Sequence, residues 1–259
     1  MNCVVAESSL VASPKRIEEG LNESTTRAPV DMSYNDDLVA RLICDNQDLW
    51  KRMLNNPFCK KMKRASKDDQ AFSEGFERYM IQDFHYSLKL ITFETARACK
   101  ALDSAEFDVS LKRIKGKTDY ASVLLNTCVS QSPSGLGVEM STVLGACESD
   151  ALKSYTDFQI STAYSNDWVV SLVAMVPCIQ SYFQIAMDLR DSSAHKDTAW
   201  YNLWVLENAK YESSILKQRS FFMENSDRWK DQYEKANEIF RKSCQGEIDF
   251  WEAVLNSGA

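Results

Sequence analysis

Apolar positions along this chain recur at steps of three and four, the spacing that gathers side chains on one face of an α-helix. Leu38, Leu42, Leu49, Trp50 and Met53 predict a first helix. Ser33-x-x-Asp36 resembles a capping signature ahead of it, and Asn55, Asn56 and Pro57 end it. A second helix is expected over about residues 69–102, on the stripe Phe72, Phe76, Tyr79, Asp83, Tyr86, Leu90, Phe93. The third, over 106–130, is weakly amphipathic, and residues 130–145, with their Ser, Pro and Gly, read as a long surface loop. A fourth helix follows over 149–164. A fifth starts at Asn166 and Asp167 and is apolar nearly all round through Met187, so it belongs at the centre of the fold. After a polar turn at 192–197 come two helical pieces up to Asn225. The last helix, over 226–255, carries the stripe Tyr233, Phe240, Cys244, Glu247, Trp251, Val254. No segment shows convincing strand alternation. The expectation is a single all-α domain of about seven or eight helices over 33–259. A disordered tail precedes it, residues 1–32, rich in Ser, Thr, Glu and Pro and without periodicity.

Composition narrows the function classes. Eight Gly and five Pro in 259 residues are too few for an all-β sandwich, which needs a turn signal every ~8–12 residues. A formal charge of −7 makes the chain a poor partner for nucleic acid, whose phosphates need a basic face. The longest apolar stretch, 168–179, is interrupted by Ser171 and Pro177 and falls short of the roughly 18 residues of a membrane span. The start, MNCVVAESSLVASPKR, lacks the apolar segment of a secretory signal. No membrane association is expected, and the eight cysteines, none in a C-x-x-C pair, are expected as free thiols in a reducing cytoplasm, most of them buried packing groups. The only histidines, His85 and His195, nearly exclude an imidazole-rich metal centre, and no cofactor is expected.

The informative residues break the stripes that contain them. Asp83 and Glu247 each occupy a core position among aromatic residues, where a lone carboxylate is costly. Each is either satisfied inside the core by a Tyr hydroxyl or an Arg, or lines a pocket with a raised pKa. Two such acids on separate aromatic helices favour the pocket. Pro177 predicts a kink in the fifth helix beside Cys178, and Tyr182 lies one turn further on. Alone, Cys178 reads as a packing thiol; with a kink, a Tyr and two acids it becomes a candidate nucleophile. Tyr79, Tyr86, Tyr155 and Tyr182 fall on inward faces, which suits a flat-walled polar cavity for a planar heteroaromatic ligand.

Five segments then resemble one family in order. Tyr79-Met-Ile-Gln82-Asp83-Phe-His-Tyr86 is similar to its Y-x-x-Q-D-x-x-Y, and Tyr155-Thr-x-Phe158 to its Y-T-x-x. Ala174-Met-Val-Pro177-Cys178-x-x-x-Tyr182 resembles A-L-x-P-C-x-x-x-Y, Tyr201-x-x-Trp204 resembles Y-x-x-W, and Glu247-x-x-Phe250-Trp251 resembles a closing E-x-x-F-W. The resemblance, over roughly 34–255, is to the TenA/thiaminase II family. It implies a haem-oxygenase-like helical fold and hydrolysis of aminopyrimidines or thiamin in thiamin salvage. By position it implies Cys178 as the nucleophile that adds to the pyrimidine ring and Glu247 as acid/base. It further implies Asp83 holding the ring's amino group and nitrogen, Tyr86 and Phe250 sandwiching the ring, and Tyr155 and Tyr182 contributing hydroxyl contacts. A homo-oligomer, commonly a tetramer, is implied as well. The chain departs from the pattern at Asn208, where the family has a Tyr four residues after the Trp that supports the catalytic Glu. A local shift bringing Tyr201 or Tyr211 into that role, drifted substrate choice, and a non-catalytic pyrimidine-binding or regulatory relative all stay open. Haem oxygenases and di-iron oxidases share the fold, but residues 34–63 hold no His and the whole chain only two, which opposes both.

Overall fold

A computed structural model describes residues 37–256, and every regular element among them is helical. The expected tail and the Ser33-x-x-Asp36 signature lie outside the described residues. Asp37 caps the first helix instead, its Oδ1 accepting from the Ala40 N–H at 3.0 Å.

The first expected helix is three: α1 (Leu38–Asp45), α2 (Gln47–Leu54) and α3 (Pro57–Met62). Asn46 makes the first break. It is fully buried, its Nδ2 donates to the Leu42 carbonyl at 2.8 Å and to Asn237 Oδ1 at 2.6 Å, and its Oδ1 accepts from Arg241 at 2.6 Å. Asn56-Pro57 starts a helix as well as ending one. The Asn56 Oδ1 accepts from Cys59 N–H at 2.8 Å, and Pro57 occupies the first turn, where its missing N–H costs nothing.

α4 (Gln70–Ala98) and α5 (Ser104–Val129) pair as the longest hairpin, capped by Asp69 and Asp103. The following segment is more ordered than a surface loop. It contains α6 (Met140–Gly145), its Leu136 and Val138 N–H groups donate to the carbonyls of Thr127 and Cys128 at 2.9 Å, and Val143 is fully buried. His85 Nε2 meets the Val143 carbonyl at 2.9 Å, so this histidine fastens the segment to α4. Ser149 caps α7 (Asp150–Ser165), as its position suggested.

The apolar fifth helix is a 3₁₀ segment (Val170–Met175) running into α8 (Val176–Ser192). Every residue from Trp168 to Tyr182 is buried, and the stretch Val170–Ser192, apolar enough by composition to cross a membrane, is 83% buried inside the protein over its most apolar window. The expected mid-helix kink is not what Pro177 makes. It sits in the first turn of α8, where an absent N–H breaks no α-helical bond, and the change from 3₁₀ to α winding falls just before it. A π-helical turn (Tyr201–Val205) leads into α9 (Leu206–Asn208), then α10 (Glu212–Glu224). The expected last helix is also split, into α11 (Ser226–Trp229), a 3₁₀ turn (Lys230–Gln232) and α12 (Tyr233–Asn256). α12 packs against α2, α3, α4, α7 and α8 and is the hub of the fold.

An ion network lies buried between α4 and α5. Arg97 donates through Nη1 to Glu94 at 2.7 Å, and through Nε and Nη2 to the Trp168 carbonyl at 3.2 and 2.7 Å. Arg113 Nε reaches the other Glu94 oxygen at 2.9 Å. Burial pushes the Glu94 carboxyl up, but the charges of Arg113 and Arg97 outweigh it and hold it at about 2. Lys117, 2% exposed, completes the cluster; burial lowers its ammonium to about 7 against the opposing pull of Glu94.

Candidate active site

Four helices and the π turn aim their stripe-breaking residues at one another. α4 contributes Tyr79, Asp83 and Tyr86 at steps of four and three, all buried. α12 contributes Glu247, Phe250 and Trp251, α7 contributes Tyr155 and Gln159, and α8 contributes Cys178 and Tyr182. The π turn contributes Trp204.

Glu247 is the electrostatic centre. It is fully buried, and Tyr155 donates its hydroxyl to Oε1 at 2.9 Å. Oε2 is buried with no hydrogen-bond partner among the described residues. Burial raises the carboxyl to about 7; the Tyr155 and Tyr182 hydroxyls pull it down and the charge of Asp83 pushes it further up. Asp83 is raised from its ordinary value by the same desolvation, with Tyr120 opposing. Two acids that feel each other's charge in one interior are therefore both biased toward the protonated form.

Aromatic rings frame these acids. Tyr86 stacks on Tyr155 with centroids 5.7 Å apart, which places Tyr155 with its hydroxyl toward Glu247. Tyr79 stacks on Trp251 at 4.6 Å and 8°, and accepts at its hydroxyl from Trp204 Nε1 at 2.9 Å. Phe250 packs edgewise on Tyr79 at 5.8 Å. Of the expected sandwich partners, Tyr86 stacks on Tyr155 and Phe250 packs edgewise on Tyr79 and Trp251, and the two make no ring contact with each other among the described residues. Tyr182 lies between Trp204 and Trp251, at 5.5 and 5.2 Å, with its buried hydroxyl near Glu247 and Tyr79 but outside close hydrogen-bond geometry among the described residues.

Cys178 is fully buried in the first turn of α8, one turn before Tyr182. Its sulfur is disulfide-bonded, against the expectation of a free thiol. Free thiols are found at Cys44, Cys59, Cys99, Cys128, Cys147 and Cys244. Among these described free thiols Cys59, Cys128 and Cys244 are buried, while Cys44, Cys99 and Cys147 are exposed, against the expectation that most would be packing groups.

Gln159 escaped the sequence reading. It is 1% exposed, and its Nε2 donates to the Tyr86 hydroxyl at 2.9 Å and to the Ala174 carbonyl at 3.2 Å. The carbonyl must receive an N–H, so the amide orientation is fixed and Oε1 is left as a buried acceptor without a partner among the described residues. The available signal was its place one turn after Tyr155 on the inward face of α7.

Asn208 does not support Glu247. Its Nδ2 donates to the Trp204 carbonyl at 2.9 Å, closing the turn that carries Trp204. Tyr201 donates to the Arg190 carbonyl at 3.2 Å, and Tyr211 lies beside Glu207, so neither takes the role. The hydroxyl bonded to Glu247 is that of Tyr155.

Gly246 sets the spacing of α7 and α12. A Cβ there would lie 2.3 Å from Tyr155 Cδ2. Gly246→Ala is expected to displace Tyr155, to destabilise the fold by roughly 1–3 kcal/mol through overpacking, and to alter the Glu247 environment. Thermal unfolding checks this; an unchanged Tm would contradict the close approach.

A helical interior holding two protonation-biased acids, a cysteine and unsatisfied polar atoms among aromatic walls defines a candidate acid/base site for a flat polar ligand. The sequence profile of the TENA/THI-4/PQQC family matches residues 45–257, and the chain belongs to that family. It is 23% identical over 217 residues to the aminopyrimidine aminohydrolase of Helicobacter pylori, covering 82% of this chain and 95% of the relative. Its fold is similar to that of a TenA family transcription regulator from Silicibacter, with a TM-score of 0.73 and 16% identity over 87% of this chain and 100% of the other. It is also similar to a domain of unknown function with a heme oxygenase-like fold from Shewanella denitrificans, with a TM-score of 0.67 and 12% identity over 85% of this chain and 92% of the other. The expected haem-oxygenase-like architecture is thereby established.

Proposed function

We propose that the protein is a cytoplasmic aminopyrimidine hydrolase of thiamin salvage, acting on aminopyrimidines or thiamin. The observation that carries this reading is Glu247: buried, titrating near 7, with one oxygen held by Tyr155 and the other unpartnered among the described residues. A carboxyl titrating near the working pH can give a proton and take one back in the same cycle. The reduced Cys178 thiolate adds to the pyrimidine ring, forming a C–S bond. Expulsion from the exocyclic carbon breaks a C–N bond, and Glu247 protonates the leaving nitrogen of an aminomethyl substrate. The quaternary nitrogen of thiamin instead leaves as neutral thiazole without a proton, so Glu247 enters the next step already ionised and its later proton passes to solvent. Glu247, now ionised, takes a proton from water as its oxygen bonds to the same carbon, and the thiolate departs. The sum is amine plus water giving alcohol plus ammonia (or the thiazole, from thiamin). Two easier steps replace one difficult one. Asp83 holds the ring's amino group and nitrogen, Tyr86 and Phe250 contact its faces, and Tyr155 and Tyr182 contribute hydroxyls. The resemblance also supports a homo-oligomer, with a tetramer as the form to look for by light scattering.

Under thiol reductant, the protein is expected to release the hydroxymethyl pyrimidine from its aminomethyl precursor or from thiamin, detected by mass spectrometry. Cys178→Ala is expected to lose that activity while keeping its far-UV circular dichroism; full activity in the variant would sink the mechanism.

Asn208 and the regulator named among the structural relatives favour a second reading, a pyrimidine-binding regulatory protein without turnover. Calorimetric binding of an aminopyrimidine with no product after long incubation would select it.

A further inference from the structure

Away from the Glu247 site, a cavity of about 550 Å³ opens between α3 and the C-terminal half of α8. Its apolar lining includes Leu54, Ile185 and Leu189, and its charged lining is Lys60, Lys63 and Arg64 with the carboxylate Asp188. Residues 57–67 hold five cations, followed by Asp68 and Asp69, in a chain whose net charge is −7. Lys63 pairs with Asp188 at 3.3 Å and Lys67 with Asp197 at 3.3 Å. Lys60 and Arg64 are in no ion pair among the described residues, and both line this cavity and a smaller one of about 310 Å³ beside it, which Asp69 also lines. A helix dipole accounts for a Lys in the last turn of α3, but α3 has only six residues and Arg64 lies past its end. The edge is held by the backbone, since the Ala194 N–H donates to the Lys63 carbonyl at 3.0 Å. Along α8 the lining runs from Gln184 to Ser192, and none of Asp83, Tyr155, Cys178, Tyr182 and Glu247 is part of it, so this cavity is separate from the catalytic candidate.

We infer that this cavity binds a small organic phosphate, its phosphoryl group between Lys60 and Arg64 and its carbon body against Leu54, Ile185 and Leu189. Two uncompensated cations match the charge of about −1.5 to −2 on a phosphomonoester at neutral pH, and the fork of Arg64 suits its oxygens. An apolar floor beneath a charged edge rewards an organic ester over the bare ion.

The test is isothermal titration of the full-length protein with phenyl phosphate, and with phenol and inorganic phosphate for comparison. Phenyl phosphate is expected to bind more tightly than either, and to weaken as salt is raised. The double variant Lys60→Gln/Arg64→Gln, altered only at exposed side chains, is expected to lose about tenfold or more in affinity. Its turnover of aminopyrimidine, if the wild type has any, is expected to be unchanged, so the binding result stands apart from the proposed activity. No binding at millimolar phenyl phosphate, equal affinity in the double variant, or inorganic phosphate binding as well as the ester would each overturn the inference.

Discussion

Glu247→Gln is expected to abolish turnover and, at the same time, to make the protein more stable at pH 8. The loss of activity follows from the acid/base role proposed for Glu247, and a factor of about 10²–10⁴ is the usual worth of such a group. The gain in stability follows from burial. The carboxyl ionises at about 7 in the folded protein and near 4.5 when unfolded. Its folded-state pKa is raised, so stability is fully present below about 4.5 and is lost as pH rises through 7. The difference amounts to something of order 3 kcal/mol at alkaline pH, at about 1.4 kcal/mol per unit. Gln removes the charge and keeps an oxygen for the Tyr155 hydroxyl. Thermal unfolding of both proteins at pH 5 and pH 8 checks this. The variant's advantage must grow with pH; a Tm gain that is equal at both, or absent at pH 8, contradicts the assignment of a buried proton-exchanging acid.

Lys117→Met is expected to stabilise the protein below pH 7, with the opposite pH trend. Burial lowers this ammonium from 10.5 to about 7. A lowered Lys contributes stability that is complete above about 10.5 and is lost as pH falls through 7, because the unfolded chain binds the proton that the folded interior resists. The full penalty is of order 5 kcal/mol below pH 7, as an upper figure for a group in a charged cluster. Met fills a similar volume without a charge, and Glu94 keeps Arg97 and Arg113. The Tm difference between variant and wild type should be large at pH 6 and shrink toward pH 10. A constant difference, or a destabilised variant at pH 6, would show that Lys117 is a favourable member of the network.

Much of this molecule could be read along the chain. Periodicity located the long helices because each buries one face, and local caps such as Asp69 and Ser149 act within three residues of sequence. Asp83 and Glu247 stood out because a carboxylate in an aromatic stripe conflicts with its neighbours. Helix breaks were less legible. Asn46 interrupts the first helix through bonds to Asn237 and Arg241, some 190 residues away, which no local pattern contains. The ordered segment over 130–148 depends in the same way on His85 and on the α5 carbonyls it meets.

The sequence by itself determined the all-helical class, the family resemblance and the set of residues placed at odds with their stripes. All of these depend on side-chain type at short spacing. Only the tertiary structure decided which hydroxyl serves Glu247, that Asn208 closes the Trp204 turn instead, and that Gln159 keeps a spare acceptor beside Tyr86. It also decided that Pro177 opens α8 rather than bending it. Partner choice and desolvation depend on how helices far apart in the chain come together, and the ionisation of Glu247 and Lys117 is set there.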